Sequence, residues 1–367
     1  MKADFTRQLL AWFARHGRHD LPWQQDVTPY RVWISEIMLQ QTQVNTVIPY
    51  FHRFTGRFPE LYALAAAELD EVLHLWTGLG YYARARNLHR AAQVISRESN
   101  GLLPVEIEAL MALPGIGRST AGAILSISHN LPHAILDGNV KRVLTRYHAI
   151  YGWPGDRNIE KQLWQLAARY TCADQAADYS QAIMDLGATV CRRSRPLCES
   201  CPLQGGCQAR KQDLQTILPQ KKPQKSLPVR KVIFAMIENA EGKVLLEKRP
   251  PSGIWGGLWS FPECAIDTDV SIWIKNRFGY LIENIQNEPG SRHTFSHFHL
   301  DIMPVRAILT TVTDAVQEAT DLYWYKPAGD ERSLGMAAPV KKLFENYFNS
   351  PQEAVNEQVG TMYKTGK

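Results

Sequence analysis

No stretch of this chain approaches the roughly 20 consecutive apolar residues of a membrane-spanning helix. The opening segment MKADFTRQLLAWFARH interleaves charges with apolar side chains and leads into no apolar run. Neither a transmembrane span nor a secretory signal is expected. No internal repeat or low-complexity tract stands out. Cysteine is scarce, with six in 367 residues, four of them crowded between 191 and 207. Without a secretory signal, such crowding favours metal ligation over disulfides. Strong charge is lacking too: 41 basic residues against 36 acidic give +5, a balance compatible with nucleic acid that does not by itself argue for it. What remains, 45% hydrophobic and 21% charged residues, is the composition of a soluble globular protein. Its length calls for two or three domains.

The stretch LPGIGRSTAGAILSISHNLPHAILDGNVKRV, residues 113–143, organises the rest. It reads as a helix ending at Leu113, a tight Pro114-Gly115-Ile116-Gly117 hairpin and a small-residue helix from Ser119 to about His129. A loop then leads to Asp137, and another helix starts at Gly138 or Asn139. The glycines permit positive φ and leave backbone N–H groups uncovered beside a helix N-terminus, a ready phosphate site. Asp137, on local grounds, is an N-cap.

Upstream, Phe5, Leu9, Trp12 and Phe13 recur at helical spacing. A second helix opens with Thr28 as N-cap and Pro29 at its first position and is expected to run through VWISEIMLQQTQV. Glu36 sits in it among Val32, Trp33, Leu39 and Gln40, a carboxylate on a largely apolar stripe. Helix geometry alone favours a solvated edge position; burial instead would raise its pKa and make it a general acid. Helices follow at about 45–55, 60–66 and 68–76. In TGLGYYARARNLHRAAQVI, arginines beside tyrosines suit phosphate neutralisation and base stacking as well as they suit a solvated basic face over core tyrosines. Further helices are expected at 158–170 and 175–188. Residues 208–228 are basic and punctuated by proline, a linker pattern. Beyond them come two strands around an Asn239–Gly242 turn, a helix near 270–278, strands near 292–310 and 321–326, and a helix at 339–348 before a polar tail.

Cys191, Cys198, Cys201 and Cys207 are separated by six, two and five residues. Four thiolates so close can hold a cubane iron-sulfur cluster or a tetrahedral zinc. The spacing favours the former, because four-cysteine zinc sites usually pair two short couples. Arg192, Arg193, Ser194 and Arg195 would form a basic loop between the first two ligands, which points to a structural role. Cys172 and Cys264 read as buried small hydrophobes.

Hairpin, downstream aspartate and cysteine spacing together resemble the helix-hairpin-helix DNA glycosylase superfamily and, within it, the MutY adenine DNA glycosylases. WISEIMLQQTQV, TGLGYYARARNL, LPGIGRSTAGA, LDGNVKR, the cysteine pattern and RHTFSHFHLD carry the likeness in this order. The resemblance implies a multidomain protein: an all-α helix-hairpin-helix glycosylase, made of a six-helix barrel and an iron-sulfur cluster lobe, followed by an α/β Nudix-like domain. The implied boundaries are 1–210 for the catalytic region, with the barrel at about 28–134 and the cluster lobe at about 1–27 plus 135–210. A linker at 211–228, the Nudix-like domain at 229–350 and a tail at 351–367 complete it.

The implied activity is removal of adenine opposite 8-oxoguanine or guanine. Glu36 would protonate the adenine and Asp137 stabilise the cationic sugar. Gln40, Gln41, Tyr81, Gly115, Gly117, Ser119, Asn139 and Lys141 would serve DNA and substrate, Gln41 and Tyr81 as wedges in the base stack. One [4Fe-4S] cluster would sit on the four cysteines. Endonuclease III-like relatives carry a lysine nucleophile where Ser119 stands, so a monofunctional enzyme is expected; Lys141 is available to react with an aldehydic product. The second domain keeps Gly257 and Glu263 of a Nudix box but lacks its further carboxylates, so hydrolysis is not expected. Phe295, Ser296 and His297 match the family's 8-oxoguanine-reading loop. His293 and His299 flank it, without the partners of a metal site. Gln24 departs from relatives that carry arginine after the Pro-Trp pair. The expected partner is double-stranded DNA with A:8-oxoguanine or A:G mispairs. The chain is expected to be monomeric, free of membrane, cytoplasmic and nucleoid-associated in a bacterium, with no particular replication or repair protein implied.

Overall fold

The computed structural model describes residues 2–223, 226–312, 321–326 and 334–348. Part of the expected linker and the polar tail lie outside them. The chain divides into two compact units, residues 1–75 with 83–225, and residues 76–82 with 226–367.

The first unit is helical throughout. Helix α1 (Lys2–His16) buries Phe5, Leu9 and Phe13, one face at the helical period. Helix α2 (Pro29–Leu39) begins as its sequence dictates: the Thr28 side chain accepts from Arg31 N at 3.2 Å and Pro29 fills the first position. It ends earlier than its sequence pattern. At Gln40–Gln43 the chain turns, with Gln41 at φ 57°, before α3 (Val44–Arg57). Then come α4 (Leu61–Ala66), α5 (Leu69–Trp76), α6 (Ala83–Glu98), α7 (Ile107–Ala112), α8 (Arg118–His129) and α9 (Gly138–Tyr147). Helices α10 (Arg157–Tyr170) and α11 (Ala176–Asp185) follow, α11 running on as a π-helical turn over Leu186–Val190, and α12 (Gln208–Lys211) closes the series.

Two apolar regions hold this unit. Trp33, Phe51, Phe54 and Phe58 are buried among the helices after α1. A separate core joins Phe5, Leu9 and Phe13 of α1 to Leu144 of α9, Leu163 of α10, and Ile183 and Leu186 around the end of α11. The two ends of the helical region therefore share one core.

Among the described residues the second unit has an eight-stranded sheet: β1 (Val229–Glu238), β2 (Val244–Lys248), β3 (Trp259–Ser260), β4 (Glu263–Ala265), β5 (Tyr280–Asn287), β6 (Ser291–Thr294), β7 (His299–Val312) and β8 (Leu322–Tyr325). Strand order along the main path is β3-β2-β1-β7-β5. Central β1 runs parallel to β7 and is buried over six consecutive residues, as a strand covered on both faces must be. Helix α13 (Val270–Phe278) lays Ile274 and Phe278 on Ile233, Ala235 and Leu245, and α14 (Ala338–Phe348) follows. The strand expected over 292–310 is divided into β6 and β7 by a turn at 295–298, where Phe295 N bonds Phe298 O. β3 and β4 are too short to leave a sequence pattern, and β5 is exposed along most of its length and lacks alternation.

Candidate active site

Helix α8 is made of small residues because another segment lies against it. A Cβ on Gly122 would stand 2.5 Å from the Ala134 carbonyl oxygen, so a larger residue would push away the chain leading to Asp137. Ser119 Oγ accepts from Leu136 N at 2.9 Å. Together these contacts set the approach to Asp137, whose Oδ1 accepts from Val140 N at 2.8 Å and whose Oδ2 accepts from Asn139 Nδ2 at 3.0 Å. Asp137 is thus the N-cap of α9. The hairpin before α8 needs Gly115 at φ 79°, where a Cβ would also meet Asn87 Cβ at 2.8 Å. Gly117 caps α8 with no side-chain bond and faces open space. Uncovered N–H groups at a helix start beside open space suit an anion.

A cleft of about 930 Å³ opens beside these elements, lined by Glu36, Gln40, Gln41, Ser119, Asp137 and Asn139. That lies within the roughly 300–1,000 Å³ of small-molecule pockets. Glu36 is half-buried. Burial first, and the Asp137 charge second, push its pKa up to about 8. Burial also raises Asp137, but the Val140 N–H, Asn139 and the Arg142 guanidinium pull the other way. Two carboxylates share one cleft, and the one with donors beside it is the one that ionises first.

Other expected residues lie elsewhere. Lys141 Nζ contacts Glu160 Oε1 at 2.6 Å and is not on the cleft wall. Tyr81 belongs to the second unit, is 54% exposed and adopts φ 48°. Phe295, Ser296 and His297 form the β6–β7 turn of that unit. Phe295 stacks on Phe298 with ring centroids 4.6 Å apart and lies near His293 (4.7 Å) and Trp255 (5.5 Å). Ser296 and His297 are exposed at the tip. Glu263 is engaged by Arg249 at 2.8 Å and Arg230 at 2.9 Å, so two guanidiniums already neutralise it. His299 Nδ1 bonds Thr294 Oγ1 at 2.9 Å. Among the described residues no three His, Cys, Asp or Glu side chains close on a single metal ion.

The clustered cysteines do not close on one ion among the described residues; burial, the first cause, raises Cys198 and Cys207 and takes Cys201 to about 12, with the other thiols of the set adding to it and backbone N–H groups beside Cys201 and Cys207 pulling the other way. Arg146 serves their loop, its Nη1 donating to Cys191 Sγ at 3.4 Å and Arg192 O at 2.7 Å, and its Nη2 to Arg193 O at 3.2 Å. Four thiols are the donor type of an iron-sulfur cluster, and the Arg146 guanidinium would offset the charge of thiolates holding one.

Several cleft residues leave little trace in the sequence. Arg142 Nη2 donates to Asn139 Oδ1 at 2.8 Å and to Gly187 O at 2.6 Å, while its Nε donates to Cys191 O at 2.7 Å. Its presence in LDGNVKR was the available signal. Arg18 pairs with buried Asp185, 167 residues away, through its backbone N at 2.7 Å and its Nε at 2.9 Å; no local pattern announces that. Gln24 accepts from Leu21 N at 3.1 Å and donates to Gln181, an amide pair on the cleft wall just after the Pro-Trp pair.

Residues 34–169 match the HhH-GPD superfamily of base excision DNA repair proteins, and residues 233–346 match the NUDIX domain. The chain therefore has the fold of a base-excision glycosylase carrying a Nudix-like domain. The chain is 40% identical to the adenine DNA glycosylase of Buchnera aphidicola subsp. Acyrthosiphon pisum, covering 94% of this chain and 97% of that one. With the rat adenine DNA glycosylase it shares 32% identity over 94% of this chain and 78% of that one. A solved thermostable thymine-DNA glycosylase matches with TM-score 0.52 and 26% identity over 57% of this chain and 97% of that one. The chain belongs to the adenine DNA glycosylase family, whose members are N-glycosyl hydrolases.

Proposed function

We propose that this chain excises adenine mispaired with 8-oxoguanine, or with guanine, from double-stranded DNA by hydrolysing the N-glycosidic bond, and that it stops at the abasic site. One observation carries the reading: Glu36 and Asp137 line a single cleft, with Glu36 raised to about 8. Bond cleavage builds positive charge on the deoxyribose and negative charge on the departing base. Glu36 keeps its proton at neutral pH and gives it to the base, while ionised Asp137 faces the sugar cation. Water then adds at the sugar carbon and releases the proton that balances the one Glu36 lost. Asn139, bonded to Asp137 Oδ2, orients that carboxylate.

The base must first leave the stack, at a cost of a few kcal/mol. Gln41 and Tyr81, both exposed and both in left-handed backbone, serve as wedges. Gly115, Gly117 and the start of α8 hold a phosphate. Ser119, engaged by Leu136 N, offers no amine for a Schiff base, and Lys141 is engaged by Glu160; both support a monofunctional enzyme. Phe295, Ser296 and His297 read 8-oxoguanine, Phe295 from its aromatic nest. Cys191, Cys198, Cys201 and Cys207 hold one [4Fe-4S] cluster, whose contribution when bound is to fold the basic loop between its first two ligands. The enzyme acts as a monomer at the bacterial nucleoid.

The test is single-turnover cleavage of duplexes with adenine opposite 8-oxoguanine or guanine, quenched with and without alkali. Strand breaks confined to the alkali arm are expected. Folded, cluster-loaded protein that releases no adenine overturns the activity, and breaks without alkali overturn its monofunctional character. Brown protein with broad visible absorbance supports the cluster; colourless protein holding one zinc refutes it.

A further inference from the structure

Helix α2 stops at Leu39 although its sequence pattern runs on to Val44. The cause lies in another helix. Arg84, in the first turn of α6, reaches the end of α2 and donates from Nη1 to the carbonyls of Ile37 (2.9 Å), Met38 (2.8 Å) and Gln40 (2.7 Å). Its Nη2 donates to Thr42 Oγ1 at 3.3 Å. The carbonyls ending a helix have no partner within it, and a cation at that end complements the helix dipole. The planar guanidinium takes several of these acceptors at once and also grips the far side of the turn, which a lysine cannot do in one geometry.

Between the two residues so gripped, Gln40 and Thr42, stands Gln41 at φ 57°. A residue with a Cβ persists in that region only where its surroundings fix it. Its side chain is exposed on the wall of the cleft.

We propose that Arg84 is the positioning residue for Gln41: by bracketing the turn on both sides it stops α2 from winding on and keeps Gln41 in the left-handed backbone that presents its side chain to the DNA stack. This rests on the reading of Gln41 as a wedge. Arg84 acts on Gln41 through the turn.

A double-mutant cycle on the full-length, cluster-loaded protein tests it, read by 2-aminopurine fluorescence beside the target adenine and by single-turnover release at saturating enzyme. Arg84→Gln should lower extrusion and rate roughly ten- to a hundredfold, and Arg84→Lys should fall between it and wild type. Gln41→Gly should lower extrusion on its own. Glycine takes positive φ without help, so adding Arg84→Gln to Gln41→Gly should cost almost nothing more. An undiminished Arg84→Gln penalty in the Gln41→Gly background overturns the proposal, because a residue that merely holds α2 to α6 would act in both backgrounds. Arg84→Lys equal to wild type also overturns it, since charge without the fork would then suffice. Unchanged extrusion in Gln41→Gly overturns the wedge reading itself and the proposal with it.

Discussion

Replacing Glu36 by glutamine keeps the shape of the side chain and removes the proton it gives to the base in the proposed reaction. With its pKa near 8, Glu36 is about nine-tenths protonated at pH 7, whereas an ordinary glutamate would be protonated at roughly 0.3%; burial, with the Asp137 charge second, therefore raises the protonated form about 300-fold. Loss of a positioned proton donor costs roughly 10²–10⁴ in rate, and Glu36→Gln should fall in that range while binding duplex as before. The sign of the pH dependence follows from which form works. Protonated Glu36 is the competent one, so the rate should hold below about pH 8 and fall tenfold per unit above it. Asp137 must be charged, and burial lifts it above the usual aspartate value, so an acid limb should appear above the ordinary carboxylate range. Single-turnover adenine release between about pH 5 and about pH 10, with duplex affinity measured in parallel, resolves both limbs. A rate still level a full unit above the expected midpoint, or the same alkaline limb in the residual activity of Glu36→Gln, would refute the assignment.

Three other perturbations separate roles that share these residues. Asp137→Asn keeps an N-cap, since asparagine caps as well as aspartate, so the melting temperature should hold while the rate falls roughly 10²–10³ for the lost charge; a variant that instead unfolds or loses duplex binding shows the carboxylate to be structural. Ser119→Ala leaves Leu136 N without its acceptor and should cost about 1–3 kcal/mol, seen as faster hydrogen exchange at Leu136, and unchanged protection there contradicts the contact. Glu160→Gln removes the partner of Lys141, a part-exposed pair worth at most about 1 kcal/mol, so the fold should survive while borohydride trapping on an abasic duplex rises several-fold; equal trapping means Glu160 does not restrain that amine.

Features set by neighbours in sequence could be read directly, and those set by distant residues could not. Thr28 and Pro29 start α2, and Asp137 starts α9, because capping is decided within one turn. The end of α2 was missed because Arg84 supplies its cap from more than 40 residues away. Glu36 was identified as a carboxylate on an apolar stripe, but a helix wheel does not say whether that stripe faces a core, a cleft or water; the elements carrying Ser119 and Asp137 decide it. The amide pair of Gln24 and Gln181 and the ion pair of Arg18 and Asp185 each join residues more than 150 apart, and neither residue of either pair belongs to a local motif. In the second unit the alternation that marks strands fails at β5, where most side chains meet solvent.

The two carboxylates also explain why the cleft needs both α2 and the start of α9. Burial alone would raise both and leave two neutral acids, one of them useless against a sugar cation. Asp137 escapes that fate because it stands at a helix start, where the Val140 N–H, the Asn139 amide and the Arg142 guanidinium favour its charge. For Glu36 both causes, burial and the charge placed on Asp137, favour the proton. The asymmetry thus comes from position in the fold, not from side-chain type. Exchanging the two residue types, Glu36→Asp with Asp137→Glu, should therefore leave the acid on α2 and the charge at the start of α9, with the rate lost to geometry rather than to reversed roles.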